Sequence, residues 1–320
     1  MTYSELEMRA YEAFIRRAAA LDFPFMLKGS YVTRQYFAQP TDRTPQDLDW
    51  VYTGRIGSPA EAKTVFDDWA TRVTELAQDD GVVFQSFQKN AFWRMIDYAM
   101  ADDFPTINTD LECWVDGEHF ENFTLDISFN LPLELPSEPL IYQPLQGEAF
   151  YLPHTPPLAL QVAWKLHQTL VRPRFKDLFD LLHLVRHPSF NETTRERALE
   201  ALKKECRADN TDFGRLRWLL TGNLQPLYGT PTAEALWQAW RHNSSAFVPS
   251  QFYEQRAVHI TDAKQLPETL AGFEQQLQKS FQHAGFDAVL EQLPAPGANN
   301  KKNSSSEKRG FFNSLLDFFS

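Results

Sequence analysis

Two short runs decide how this chain is read: Lys28-Gly-Ser30 and, further on, Arg43-Thr-Pro-Gln-Asp47-Leu-Asp-Trp-Val-Tyr52. The first closes a strand predicted over Phe23–Lys28, where Phe23, Phe25 and Leu27 alternate. A glycine after that strand lets backbone N–H groups approach a phosphate, and the Ser30 hydroxyl adds a donor. The second run is a predicted strand over Asp47–Tyr52. Asp47 and Asp49, at i and i+2, point to one face, while Leu48 and Trp50 take the other and pack inward. Two parallel carboxylates repel each other unless a cation or a proton lies between them. Mg²⁺ suits such a pair, because it takes hard oxygen ligands and usually binds one or two carboxylates plus phosphates.

Outward from these runs the first half alternates helices and short strands. Ser4 and Glu7 give a capping-box pattern, and an amphipathic helix follows to about Leu21, with Ala10, Phe14, Ala18 and Leu21 on one face. A short helix is predicted over Tyr31–Phe37. Ser58-Pro59 opens another, to about Gln78, with Val65, Trp69, Val73 and Leu76 as its buried stripe. Val82–Phe87 reads as a strand, and Thr106–Val115 and His119–Asn130 as a hairpin across Asp116-Gly117. In the second arm Thr124, Asp126 and Ser128 share a polar face opposite Leu125, Ile127 and Phe129. If that arm lies beside Asp47–Tyr52, Asp126 joins the carboxylates and allows two metal ions. Leu131–Pro157 is rich in proline and separates the halves, and from Pro157 the pattern is helical almost to Leu293.

The ordered set of strand, Gly29-Ser30, helix, Arg43-Thr44, Asp47-x-Asp49 strand and later Asp126 strand resembles the nucleotidyltransferase superfamily with the polymerase-beta-type palm, over roughly residues 25 to 130. A second block reads Lys165-Leu-His-Gln-Thr-Leu-Val-Arg172-Pro-Arg174-Phe-Lys176-Asp177-Leu-Phe-Asp180-Leu. Pro173 breaks the first helix there, because residue 172 is pushed out of the α region. Together the blocks are similar to the AbiEii/AbiGii-type nucleotidyltransferase toxin family, with its Gly-(Gly/Ser)…Arg-x-x-Asp-(Ile/Leu)-Asp run followed by Lys…Arg…Lys-Asp-x-x-Asp-Leu. The resemblance covers about residues 20 to 190. It implies that Gly29 and Ser30, with Arg43, hold nucleotide phosphates, that Asp47 and Asp49, with Asp126, hold Mg²⁺, and that Lys165 reaches the triphosphate. Asp177 and Asp180 match the last motif, and the sequence leaves open which of them points inward. The resemblance further implies transfer of a nucleoside monophosphate from an NTP to an acceptor hydroxyl, on an RNA such as tRNA or on a protein. The setting it implies is a toxin or phage-defence (abortive-infection) system, with an antitoxin protein as partner. A small-molecule acceptor of the antibiotic kind is the alternative, as is an inactive palm kept as a binding module; intact Asp47, Asp49 and Lys165 argue against the latter.

The expected fold class is therefore α+β or α/β. A nucleotidyltransferase palm occupies residues 1–150, a helical domain that completes the nucleotide cleft occupies 151–293, and a disordered tail follows over 294–320. Lys and Arg total 31 against 42 Asp and Glu, a net charge of −11. That excludes a general nucleic-acid coat, whose affinity comes from neutralising phosphates, and it favours a cationic or protein acceptor over RNA unless a local basic cleft exists. Cys113 and Cys206 are too few and too far apart for a disulfide framework or a zinc site. His183 and His187 lie at i, i+4 but lack the Glu of a zinc-protease helix. The longest uncharged run, Ala149–Trp164, holds three prolines, so no transmembrane segment is expected. With an acidic N-terminus unlike a signal peptide, the chain reads as cytoplasmic. The low-complexity stretch Pro294–Gly310 ends in Phe311-Phe-Asn-Ser-Leu-Leu-Asp-Phe-Phe319, an apolar tip expected to dock into a partner protein as an amphipathic helix.

Overall fold

The structure is a computed structural model of the 320-residue chain. It describes residues 3–89, 93–96, 106–229, 231–245 and 254–297. The apolar tip around Phe311–Phe319 lies outside the described residues. The chain divides into two units, Met1–Pro157 and Leu158–Ser320.

The first unit is a mixed sheet with helices on one face. Helix α1 (Tyr3–Ala19) leads into β1 (Phe25–Lys28), the single turn α2 (Ser30–Thr33) and β2 (Leu48–Tyr52). Then come α3 (Pro59–Glu75), β3 (Val82–Phe84), β4 (Trp93–Ile96), β5 (Thr106–Val115) and β6 (Glu118–Ser128). The strand order is β1-β2-β6-β5-β3, with β4 pairing the other end of β5. Among the described residues every pairing is antiparallel except β2 with β6.

One sheet face is covered by α1 and α3. Phe14 meets Trp69 at 5.5 Å and Phe123 at 5.3 Å, and Phe25 stacks on Trp69 at 4.2 Å. These rings are almost wholly buried and form the apolar floor of the sheet. The N-terminus of α3 is capped as its sequence dictates, the Ser58 hydroxyl accepting from the N–H of Glu61 and Pro59 filling the first helical position. The hairpin turn is also as expected, with Asp116 and Gly117 both at positive φ, 50° and 85°.

Several boundaries differ from the sequence reading. Ser4 lies inside α1, which already runs from Tyr3, so it is not the N-cap. The inward residues of α3 are Ala62, Phe66, Trp69, Ala70, Val73 and Thr74; Val65 and Leu76 are only partly covered. The strand beginning at Val82 stops at Phe84, and Phe87 enters a 3-10 turn. Neither β4 nor the second sheet was foreseen. That sheet is a hairpin of β7 (Glu138–Tyr142) and β8 (Phe150–Thr155), inside the stretch read as a proline-rich separator. Prolines are tolerated there because a two-stranded sheet consists only of edges. The hairpin is fastened by Glu12 of α1, which accepts from the Tyr142 hydroxyl at 3.1 Å, from the N–H of Leu145 at 2.7 Å and from Arg34 at 3.2 Å. Burial pushes the Glu12 carboxyl up, although all three donors favour its charged form.

The second unit is helical: α4 (Leu158–Val171), α5 (Phe175–Leu184), α6 (Glu192–Ala208), α7 (Leu216–Leu220), α8 (Gln225–Tyr228), α9 (Ala233–Arg241), α10 (Arg256–His259), α11 (Leu270–His283) and α12 (Asp287–Gln292). Its core centres on Phe175, which stacks on Tyr228 at 4.8 Å and meets Trp237 edge-on at 5.2 Å. Among the described residues no helix is long and apolar enough to cross a membrane. The start of the stretch read as tail is held, the N–H of Gly297 donating to Asp212 at 2.6 Å, and just before it Arg217 donates to the Leu293 carbonyl at 2.7 Å.

Candidate active site

The sheet builds a polar row from four strands. Lys28 of β1 is the register partner of Asp49 of β2, Asp49 that of Asp126 of β6, and Asp126 that of Asn108 of β5. Neighbouring strands lie about 4.8 Å apart, so the two carboxylates occupy adjacent positions on one face. Leu48, Trp50, Leu125 and Ile127 alternate with them and are buried on the apolar side. Lys28 Nζ pairs with Asp49 Oδ1 at 3.2 Å, and Asn108 Nδ2 donates to Asp126 Oδ1 at 2.6 Å. Asp126 is pushed up mainly by burial and also by the charges of Asp49 and Asp47, against the Asn108 hydrogen bond and Lys28.

Gly29 abuts this row. It sits at φ 77°, and a Cβ there would lie 2.7 Å from Asp49 Oδ2, so both its conformation and its surroundings require glycine. The N–H and hydroxyl of Thr33 both donate to the Gly29 carbonyl at 3.0 Å, closing a tight turn. The helix that follows Gly29 is one turn long, so a helix dipole there would add little to anion binding.

Asp47 lies just before β2 and is exposed. Its charge is felt by Asp126 and by Glu7 of α1, whose carboxyl is raised first by burial and then by Asp47. Arg43 is 3% exposed and donates to the Thr44 carbonyl at 2.7 Å, so here it braces the loop that enters β2. Among the described residues no three His, Cys, Asp or Glu side chains converge on one point as a metal cage. The donor set nevertheless fits a divalent cation of the Mg²⁺ kind. Two in-register carboxylates, one of them half-buried and raised first by burial and then by its neighbours' charge, offer hard oxygens and leave further positions for phosphate and water.

The second block lies in the helical unit and forms its own charge cluster. Lys165 Nζ of α4 is 2.6 Å from Asp177 Oδ1 and 2.8 Å from Asp180 Oδ2, both on α5. Spaced i, i+3 on that helix, the aspartates share a face, and both are fully buried. Arg174, at the N-cap of α5, puts Nε 2.6 Å from Asp177 Oδ2 and lies 3.9 Å from Glu254. Burial works against the Asp177 carboxylate, yet Lys165 and Arg174 hold it well below the usual range. Both aspartates therefore face Lys165.

Sequence reasoning missed Lys28 and Asn108 as members of the carboxylate row. Lys28 was within reach, being the residue before Gly29; Asn108 was not, because its role depends on the β5–β6 register. Glu254 also escaped notice, since it lies far from the block it joins.

A sheet carrying in-register aspartates beside a glycine turn, and a helical unit carrying a Lys–Asp–Asp cluster, are what the resemblance to nucleotidyltransferases leads one to expect. The family model for the nucleotidyl transferase AbiEii toxin of type IV toxin–antitoxin systems matches residues 14–292, and the chain belongs to that family. No curated protein matches the chain.

Proposed function

We propose that the chain moves a nucleoside monophosphate from an NTP to an acceptor hydroxyl, as the toxin of an abortive-infection or related defence system held in check by an antitoxin. The observation that carries this reading is the pairing of Asp49 with Asp126 directly against Gly29. In the reaction the acceptor oxygen forms a bond to the α-phosphorus, the bond from that phosphorus to the bridging oxygen breaks, pyrophosphate leaves and the acceptor proton passes to solvent. The backbone at Gly29 and the Ser30 hydroxyl hold the outgoing phosphates, and Lys28 places a positive charge beside the carboxylate row. In the helical unit Lys165 is held by Asp177 and Asp180. Asp177 and Asp180 are then positioning residues for Lys165. Mg²⁺ held by Asp49 and Asp126, with Asp47 at the rim, would neutralise charge on the α-phosphate. Arg43 supports the site through the loop it braces.

The test is incubation of purified protein with each α-labelled NTP, Mg²⁺ and total cellular RNA or cell lysate, with Asp49→Asn alongside. Label entering a macromolecule only with wild type supports the reading; equal labelling by Asp49→Asn removes it. The family's toxin–antitoxin setting supports a protein antitoxin as partner and the cytoplasm as site of action. The apolar spacing of Phe311–Phe319 supports docking of the tip to a partner. Deletion of residues 298–320 should leave transfer intact and weaken binding of the purified antitoxin; unchanged binding would rule the tip out as its contact.

A further inference from the structure

The polar face that carries Asp126 and Asn108 continues along β5 and β6 away from Gly29. Two residues on from Asn108, Asp110 accepts from the Thr124 hydroxyl at 3.3 Å. Next is Glu112, exposed and 3.5 Å from His119 Nε2. Then Trp114, flat against the His119 ring at 5.0 Å and 21°, is flanked on β3 by its register partner Val83, 64% exposed. From Asn108 to Trp114 is six residues, about 20 Å of strand. The face thus runs from the proposed chemistry through two carboxylates to an exposed apolar and aromatic end.

We propose that this sheet face is the acceptor-binding surface, and that its occupant is an extended basic segment of a polypeptide bearing the acceptor hydroxyl. The inference rests on the nucleotidyltransferase reading and names the acceptor class for the same site. Two features of the surface choose the occupant. Asp110 and Glu112 attract lysine or arginine, whereas a phosphodiester strand laid on them would meet like charge. The spacing also matches: same-face side chains recur about every 6.6 Å on an extended chain, as they do on β5, so successive basic residues meet successive carboxylates. Trp114 and Val83 then offer an apolar seat for a side chain at the far end. The chain's net charge of −11 acts in the same direction at long range.

The experiment measures binding and transfer separately. Fluorescence anisotropy of a labelled Lys-Ser repeat peptide, without nucleotide, is compared for wild type, the double variant Asp110→Asn/Glu112→Gln, Trp114→Ala and the remote control Glu196→Gln. Circular dichroism checks that each variant folds. Affinity should fall roughly tenfold in the double variant, fall in Trp114→Ala, stay unchanged in Glu196→Gln, and weaken with salt. Equal affinity of wild type and the double variant overturns the proposal. α-Labelled NTPs are then supplied with the peptide and with total RNA in competition. Label in the peptide, lost in the double variant, supports the proposal. Label in RNA alone overturns it and leaves the nucleotidyltransferase reading standing. No label in either, with wild type matching Asp49→Asn, overturns the nucleotidyltransferase reading and the acceptor role with it, whatever the anisotropy shows.

Discussion

At the scale of single residues, the carboxylate row and the buried lysine cluster answer substitution in opposite ways. Asp49 is partly exposed, and its pair with Lys28 contributes no more than about 1 kcal/mol. Asp49→Asn should therefore lower nucleotide transfer by about a hundredfold or more while leaving the melting temperature nearly unchanged. Gly29→Ala should do both kinds of damage. It forces an L side chain into positive φ and against Asp49, so we expect a loss of about 1–3 kcal/mol in denaturant melts together with weaker NTP binding. Lys165 differs again, because its removal takes a cation from both buried aspartates and leaves Asp177 to Arg174. Lys165→Met should cost about 3–5 kcal/mol, and Asp180→Asn in the same chain should recover part of that loss. Additive effects of the two substitutions in a double-mutant cycle would show that the pair is not coupled.

At the scale of elements, α1 is the strut on which the first unit is assembled. Arg17, 2% exposed, grips Asp80 with both terminal nitrogens at 2.8 and 2.9 Å and donates to the carbonyls of Leu76 and Val82. One side chain thus ties α1 to the end of α3 and the start of β3. Arg17→Ala should lower stability by about 3 kcal/mol, read by urea unfolding of the purified protein, with Asp49 chemistry affected only through the folded fraction. The elements around the site were legible because their local signals agree. Phe25 and Leu27 alternate into Gly29, Leu48 and Trp50 alternate around Asp49, and Asp116-Gly117 demands a hairpin. The β7–β8 hairpin was not legible, because its prolines and weak alternation look like a connector. What orders it is Glu12, more than a hundred residues earlier. Likewise, nothing local in Asp177 and Asp180 says that both turn toward Lys165; that follows from how α5 packs on α4.

At the scale of the whole molecule, the helical unit carries an acid sensitivity at Asp177. The Asp177 carboxyl titrates below its unfolded value, so its charge stabilises the fold above about pH 4, and that contribution is lost as pH falls from there toward the folded value. Acid titration of wild type against Asp177→Asn should show a stability difference that shrinks below about pH 4; a constant difference would remove the ion cluster as its source. The end of the chain gives a second whole-molecule expectation. Truncation after Gly297 should leave melting unchanged, whereas removal of residues 293–320 should cost about 2–4 kcal/mol by uncovering the site of buried Leu293 and losing two hydrogen bonds. The parallel pairing of β2 with β6 has a further consequence, for the timing of synthesis. Asp49 leaves the ribosome long before Asp126, and everything from α3 to the hairpin turn must be made before the two can meet. On the proposed site, a nascent chain or a fragment ending at β5 holds only one of the two paired aspartates, and transfer is expected only once translation has passed β6 and its strand has slotted in beside β2.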